Sequence, residues 1–449
     1  MKRVLNSSFI ISHSSFMEKR IVLATLGSFG DVHPYIALAL ELKSRGHHAV
    51  IATSEVYREK MDAAGVELHA LRPDDLLPSL DEPERMSEFI EKFIDQRTGM
   101  KEIVDRLITP YLRVTYDDLT AATRDADLLV THPLTFIGRL VAEKHNVAWA
   151  SSALAPASLF SKHDPLVPPQ FPSAHKLFKL HPLFFQAAMA FGRLQLRPLT
   201  RAVKRLRAEE GLPPSDANPL IEGQHSPALV LALFSKVLAE KQRDYPPNTF
   251  ITGFPFYDRR DFYGETATPR GLLEFLDAGE PPVVFTLGSA AFWVAKDFYR
   301  ESINAAQALG KRALLLIGHE RNRSSSLPEG VVAFEYAPFG EVLPRASVVV
   351  HHGGIGTTGQ TLRAGRPQLV MPFSHDQFDN GARVARLGAG RVVPRRDYNT
   401  RTATRALQRL LEDESYAARA AEAGRVVQSE DGARTACDLI EEKMFGVRA

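Results

Sequence analysis

Between Val348 and Asn380 the chain reads VVVHHGGIGTTGQTLRAGRPQLVMPFSHDQFDN, and its residue types converge on one kind of ligand. His351 and His352 run into Gly353, Gly354 and Gly356, with Thr357 and Thr358 directly after. A glycine-rich turn that opens a helix aims free backbone N–H groups and the positive end of the helix dipole at one spot, which suits a diphosphate. The histidines add polar or cationic groups to that spot. Further on, Asp376 and Gln377 supply a carboxylate and an amide, the side chains that hold sugar hydroxyls. A diphosphate seat beside a sugar grip specifies a nucleotide sugar.

The elements that must position these groups are two series of alternating strands and helices. Val348–Val350 and Leu369–Met371 are short apolar runs on either side of the turn and its helix. The same half of the chain starts at Val283–Thr286 and continues through Ala313–Ile317. The other half opens with a strand at Ile21–Thr25, breaks at Leu26-Gly27-Ser28-Phe29-Gly30-Asp31, and continues as an amphipathic helix from Pro34 to Arg45, stopped at Gly46. Ala49–Ala52 and Leu128–Val130 are its next strands. This βαβ alternation predicts an α/β protein with two Rossmann-like, doubly wound parallel sheets, whose sites lie beyond the carboxyl ends of the strands. The expected layout is a leader at 1–16, an acceptor-side domain at 17–245, a linker at 246–282, a donor-side domain at 283–430, and a helix at 431–449 packing back on the first domain.

Composition sets limits. A chain of 449 residues exceeds one ordinary core, and 44% hydrophobic with 24% charged residues is usual for a soluble globular protein. A net charge of +2 gives no global field for nucleic acid. The single cysteine, Cys437, excludes an internal disulfide framework and a cysteine-rich zinc site, and points to the cytoplasm. No apolar run has the length needed to span a bilayer. Residues 1–16 lack the apolar core and cleavage site of a signal peptide. From Lys176 to Arg207 there are eight Lys or Arg and no Asp or Glu, with apolar clusters such as Leu183-Phe184-Phe185. That segment reads either as a solvated helical face or as a lid over a lipophilic acceptor with a weak peripheral contact at the inner face of a membrane. Asp125-Ala126-Asp127 has the spacing of an Asp-x-Asp metal motif but precedes a strand away from the glycine-rich turn, and reads as a solvated turn.

These residues resemble the nucleotide-sugar-dependent glycosyltransferases of the GT-B class, family 1 type, over nearly the whole chain from Met17 onward. The stretches GSFGDVHPYIALALELKSRGH, ITGFPFYD and HHGGIG…HDQFDN look most like bacterial rhamnosyltransferases and the sterol and antibiotic enzymes of that class. The resemblance implies two domains facing a central cleft, inversion at the anomeric carbon, no metal ion, and a UDP- or dTDP-sugar as co-substrate. It implies that His352, Gly354, Gly356 and Thr357 meet the diphosphate, with Gly288 and Ser289 as a second phosphate-side turn. Tyr336-Ala337-Pro338-Phe339 corresponds to Trp-Ala-Pro-Gln of plant members, so Tyr336 is the stacking platform for the base, and Phe339 replaces a polar contact. Gln360 stands where plant members bond the ribose with a Glu, and Asp376-Gln377 is the sugar-gripping pair.

The acceptor hydroxyl needs a base from the first half. Many members use the His of a Gly-His-x-x-Pro motif; Gly30-Asp31-Val32-His33-Pro34 has Asp31 there, as sterol and glycopeptide members do. Asp31 is therefore the expected general base, with helix capping as its plainer role and His33 and His132 as rival bases. The expected acceptor is small and lipophilic, a lipid, sterol, polyketide or phenol, and the expected state a monomer or homodimer. Alternatives on the same scaffold are a nucleotide-sugar epimerase and an inactive sugar-nucleotide-binding protein. A dinucleotide oxidoreductase fits less well, because Gly27-x-x-Gly30 is not a full Gly-x-Gly-x-x-Gly.

Overall fold

The computed structural model describes residues 17–73, 82–257 and 269–447. The expected leader at 1–16 and part of the expected linker, 258–268, lie outside the described residues. Seven strands form the first sheet: β1 Arg20–Ala24, β2 His48–Thr53, β3 Glu67–Ala70, β4 Leu128–Thr131, β5 Ala148–Ala153, β6 Val230–Ala232 and β7 Thr249–Ile251. Six form the second: β8 Val283–Thr286, β9 Ala313–Leu316, β10 Val331–Phe334, β11 Val348–His351, β12 Gln368–Val370 and β13 Gly390–Val392. Their orders are β3-β2-β1-β4-β5-β6-β7 and β10-β9-β8-β11-β12-β13, with every pairing parallel. β7 and the helix Leu272–Asp277 both fall within the stretch expected as linker.

Both faces of each sheet are covered, which explains why the strands read as continuous apolar runs rather than alternating ones. In β1, Ile21 and Leu23 enter one core cluster while Val22 and Ala24 enter another. In β8, Val283 and Phe285 face one cluster and Val284 the opposite one. In each sheet the order reverses direction at one place, between β1 and β4 and between β8 and β11. Parallel sheets open a crevice at that reversal, beyond the strands' carboxyl ends.

Two elements cross between the halves. The helix Gly432–Phe445 lies on the helix Phe29–Ser44 and puts Ala436, Cys437 and Ile440 into the cluster that holds Tyr35 and Ile36. Arg45 ties the pair together through Asp438 at 2.6 Å and Glu441 at 2.8 Å. The helix Pro83–Phe93 comes from the first half, yet Met86 and the following Ile94 are buried in the second half's core beside Phe292 and Trp293. Among the described residues no helix is long and apolar enough to cross a membrane.

Candidate active site

The helix after β1 begins at Phe29, five residues before the proline expected to start it, so Pro34 lies inside the helix. Pro34 cannot donate a hydrogen bond to the carbonyl four residues back, and this costs the helix one bond near its start. The consequence is that Asp31 sits in the first helical turn. Its Oδ2 accepts from the Ser28 N–H at 2.7 Å and from the Ser28 hydroxyl at 3.1 Å. Its Oδ1 lies 3.4 Å from His132 Nε2. His132 follows β4, the neighbour of β1, and its N–H donates to the Ala24 carbonyl at 2.9 Å. His132 Nδ1 accepts the Leu134 N–H at 3.1 Å, which leaves Nε2 as the ring nitrogen that donates toward Asp31. Burial alone would raise the Asp31 pKa, but the hydrogen bond and charge of His132 and the Ser28 contacts outweigh it, and the carboxyl titrates below its ordinary value. Asp31 is thus both the cap and an oriented carboxylate.

His33 points elsewhere. Its ring packs 5.6 Å from Phe29 and 5.5 Å from Tyr257, and Nε2 has no hydrogen-bond partner. Burial, with Lys60 adding to it, pushes its pKa down to about 3.

On the second sheet, the turns after β8 and β11 meet around one imidazole. A Cβ on Gly354 would fall 2.5 Å from His352 Nε2, and one on Gly288 would strike Cε1 of the same ring. Gly288 has φ +65, a conformation that also favours glycine. His352 is therefore held between two backbones, nearly buried, with Nδ1 unpartnered. Burial lowers its pKa to about 3, with His351 contributing, so the ring is neutral rather than cationic. His351 is wholly buried and structural: Nδ1 accepts the Gly353 N–H at 3.0 Å and Nε2 donates to Gln368 Oε1 at 2.8 Å.

The helix Ile355–Arg363 starts at this turn, with Gly354 as its cap, Thr357 buried and Gly356 exposed in its first turn and Gln360 half-buried one turn on. Ser289 is exposed after β8. After the edge strand β10, Tyr336 is 40% exposed, Ala337 is buried and Phe339 packs against the core. These loops share the carboxyl end of the second sheet, with Tyr336 two strands from the Gly288 turn.

Asp376 caps the helix Gln377–Leu387, and its Oδ2 accepts from Asn380 Nδ2 at 2.7 Å. The same Asn380 amide donates to the Gly353 carbonyl at 3.0 Å, linking the Asp376 loop to the glycine turn. Gln377 Oε1 accepts the N–H groups of Phe373 at 2.8 Å and Ser374 at 3.2 Å. Burial lifts the Asp376 pKa to about 7 against the Asn380 bond, and the charge of the Asp31 carboxylate, from the first half, adds to the rise. His375, at φ +52, reaches over to the first half, its Nε2 donating to the Phe93 carbonyl at 2.9 Å. The Asp31 carboxylate thus lies near enough to His375 and Asp376 to act on both electrostatically.

Sequence reading offered His132 only as a rival base and passed over Ser28 and Asn380. Ser28 carried a signal, since Ser-x-x-Asp is a capping pattern, and Asn380 lies one helical turn from Asp376. The spacing of Asp125 and Asp127 serves structure: Asp127 accepts from Lys19 Nζ at 2.9 Å and the Arg20 N–H at 2.8 Å.

Known proteins share this architecture. Residues 21–158 match the glycosyltransferase family 28 N-terminal domain, and residues 305–434 match the C-terminal domain of erythromycin biosynthesis protein CIII-like proteins. The O-mycaminosyltylonolide 6-deoxyallosyltransferase of Streptomyces fradiae is 31% identical over 434 residues, covering 94% of this chain and 97% of its own. The sterol 3-beta-glucosyltransferase of Komagataella phaffii is 26% identical over 442 residues, 95% of this chain but only 34% of that enzyme's length. The solved structure of the glycosyltransferase VinC in complex with DTDP superposes with a TM-score of 0.65 at 18% identity, over 95% of this chain and all of the other, a likeness of fold. This chain belongs to the family 1-type glycosyltransferases of the GT-B fold.

Proposed function

We infer that the chain transfers a hexose from a dTDP- or UDP-sugar to a hydroxyl of a small lipophilic acceptor, with inversion and with Asp31 as the base. The observation that carries this reading is the Asp31 carboxylate, fixed by Ser28 and His132 at the carboxyl end of the first sheet. The acceptor oxygen attacks the anomeric carbon as the bond to the diphosphate oxygen breaks. The acceptor's proton passes to Asp31, and the electron pair leaves with the nucleoside diphosphate. Asp31 stays ionised before the reaction and takes the proton late, as the new bond forms. His132 holds the carboxylate in place through Nε2–H and is a positioning residue. The negative charge developing on the diphosphate is met by the N-terminus of the helix Ile355–Arg363, the backbone of the Gly288 and Gly354 turns and a neutral His352 N–H, a set that works without a metal ion.

Gln377 commits its carbonyl to the loop backbone, so its amide N–H₂ is the end left for a sugar hydroxyl, beside Asp376. Tyr336 is open enough to stack on a pyrimidine base, and Thr357 and Gln360 lie one turn apart for phosphate and ribose. The relatives' names speak for macrolide-like and sterol acceptors, and the VinC complex favours thymidine diphosphate. The enzyme is proposed to act in the cytoplasm, where its buried Cys437 stays a thiol.

A panel of dTDP- and UDP-sugars in a thermal-shift assay tests the donor assignment, because a ligand that binds only the folded chain raises its melting temperature. A shift with the cognate donor, followed by acceptor-dependent release of nucleoside diphosphate and an inverted anomeric centre by NMR, is the expected result. Donor turnover without acceptor would instead indicate an epimerase.

Donor affinity should also depend on pH. The Asp376 pKa lies near 7 in the free protein, and an ionised carboxylate is the better acceptor for sugar hydroxyls. Proton binding then competes with the donor: Kd rises as pH falls below about 7, by at most about tenfold per unit. Calorimetric titrations across that range should show the slope in wild type and lose it in Asp376→Asn. A flat profile in both sinks the assignment.

A further inference from the structure

We propose that the helices Ala174–Leu180 and Pro182–Gln195, with the arginine stripe of the helix Arg197–Glu209, dock the enzyme on an anionic lipid bilayer. The argument rests on exposure and charge. The helix Pro182–Gln195 has no buried residue, although it is rich in Leu, Phe and Ala. Leu183, Phe191 and Leu194 follow one helical stripe with Phe184 beside it, and all four are exposed. Leu177 and Leu180, three residues apart on the preceding helix, are also exposed, Leu180 at 74%. The inner sides of the two helices hold each other: the ring of buried Phe178 meets Phe185 edge-on at 5.9 Å. His181 fixes the turn between them, its Nδ1 accepting the Leu183 N–H at 3.2 Å. The result is a hairpin presenting an apolar ridge of six exposed side chains to solvent, and contiguous exposed apolar surface of this kind marks a contact site.

Charge selects the occupant. The segment from Lys176 to Arg207 has no acidic residue. Several of its cations are spent inside the molecule: Arg193 pairs with Glu222, Lys204 with Asp216 and Arg207 with Glu143. Arg197, Arg201 and Arg205 are different. They recur every four residues on the exposed side of a helix whose other side buries Leu199, Val203 and Leu206. None of the three pairs with a carboxylate among the described residues. An apolar ridge next to an unneutralised arginine stripe fits acyl chains and anionic headgroups together.

The surface connects to the cleft. The loop leading into the hairpin is fastened to the helix that starts at Asp376-Gln377: Asp164 pairs with Arg383 and Arg386, and the Val167 N–H donates to Asp379 Oδ1 at 3.0 Å. A bilayer bound at the hairpin would be joined through this loop to the helix that carries Gln377, close enough in the fold to supply a lipophilic acceptor. This last link rests on the proposed acceptor class; the docking itself does not.

Co-sedimentation of the full chain with phosphatidylcholine vesicles, with and without phosphatidylserine, tests the proposal. Binding to the anionic vesicles alone, released by high salt, is expected. The variant Arg197→Glu/Arg201→Glu/Arg205→Glu should bind about 100-fold or more weakly, since each basic residue contributes roughly a fivefold factor and three multiply. Leu183→Ser/Phe184→Ser/Phe191→Ser should also lose vesicle binding while transferring sugar to a water-soluble acceptor at the wild-type rate. Equal binding to both vesicle types, or to neither, overturns the proposal. So does loss of soluble-acceptor transfer in the serine variant, which would make the ridge an acceptor lid, or its conversion of a dimer to a monomer by light scattering, which would make it a subunit interface. If wild type binds anionic vesicles yet transfers no sugar, the surface stands and the functional reading fails.

Discussion

Replacing Asp31 by Asn should lower transfer by about 100-fold or more while leaving donor affinity at neutral pH intact, the scale of a lost general base. The substitution keeps shape and the bond from the Ser28 N–H, because the amide oxygen can still accept it. It removes the proton acceptor, and only the chemical step should suffer. Two companions separate base from scaffold. His132→Ala takes away a contact that holds the Asp31 pKa down, so the acid limb of the kcat/KM profile should move to higher pH, with a smaller fall in the plateau. A merely structural His132 would lower activity without moving that limb. His33→Ala should cost stability more than rate, since the ring is neutral and packed between Phe29 and Tyr257. Near-normal turnover in Asp31→Asn, with His33→Ala inactive, would reassign the base. Asp31→Asn also removes a charge that lifts Asp376, so the pH slope of donor binding should shift to lower pH in that variant.

The glycine turn proposed as the donor seat was legible because its parts are close in sequence. A strand, a glycine turn and a helix start within a few residues, and local chemistry specifies what such a turn can hold. The fold class was legible for a related reason: strands buried on both faces leave unbroken apolar runs between helical segments. What depended on sheet order was not legible. His132 meets Asp31 only because β4 lies beside β1, and nothing in the spacing of the two residues announces it. The helix Pro83–Phe93 reads as part of the first half but buries Met86 in the second, a choice made by shape complementarity. The start of the Asp31 helix was misplaced for a third reason. Pro34 is a good first helical residue, yet the Ser28–Asp31 cap stabilises the turn before it and carries the helix through the proline. The basic, Phe-rich segment was open to two readings because periodicity marks an apolar stripe without saying what covers it.

Gly354→Ala should reduce transfer about as severely as His352→Ala, by about 100-fold or more, the loss expected when one preorganised donor to a developing oxyanion is removed. Gly354 has φ −58 and ψ 142, a backbone any residue adopts, so alanine introduces no conformational strain there. Its whole effect is the new methyl group 2.5 Å from His352 Nε2, which must push the ring out of its place, and so off the diphosphate in the proposed reaction. Gly288→Ala strikes Cε1 of the same ring but adds a second cost, since φ +65 disfavours a side chain by roughly 1 kcal/mol. The two variants therefore differ in a way that a double-mutant cycle resolves. In a His352→Ala background the Gly354→Ala change should cost nothing further, because the ring it displaces is gone. The Gly288→Ala change should still lower the melting temperature, because its strain lies in the backbone. Additive losses of transfer for Gly354→Ala and His352→Ala would show that the glycine serves the diphosphate through its own N–H and not by seating the histidine. The turn that marks the donor seat works, on this view, as a mould for one neutral imidazole.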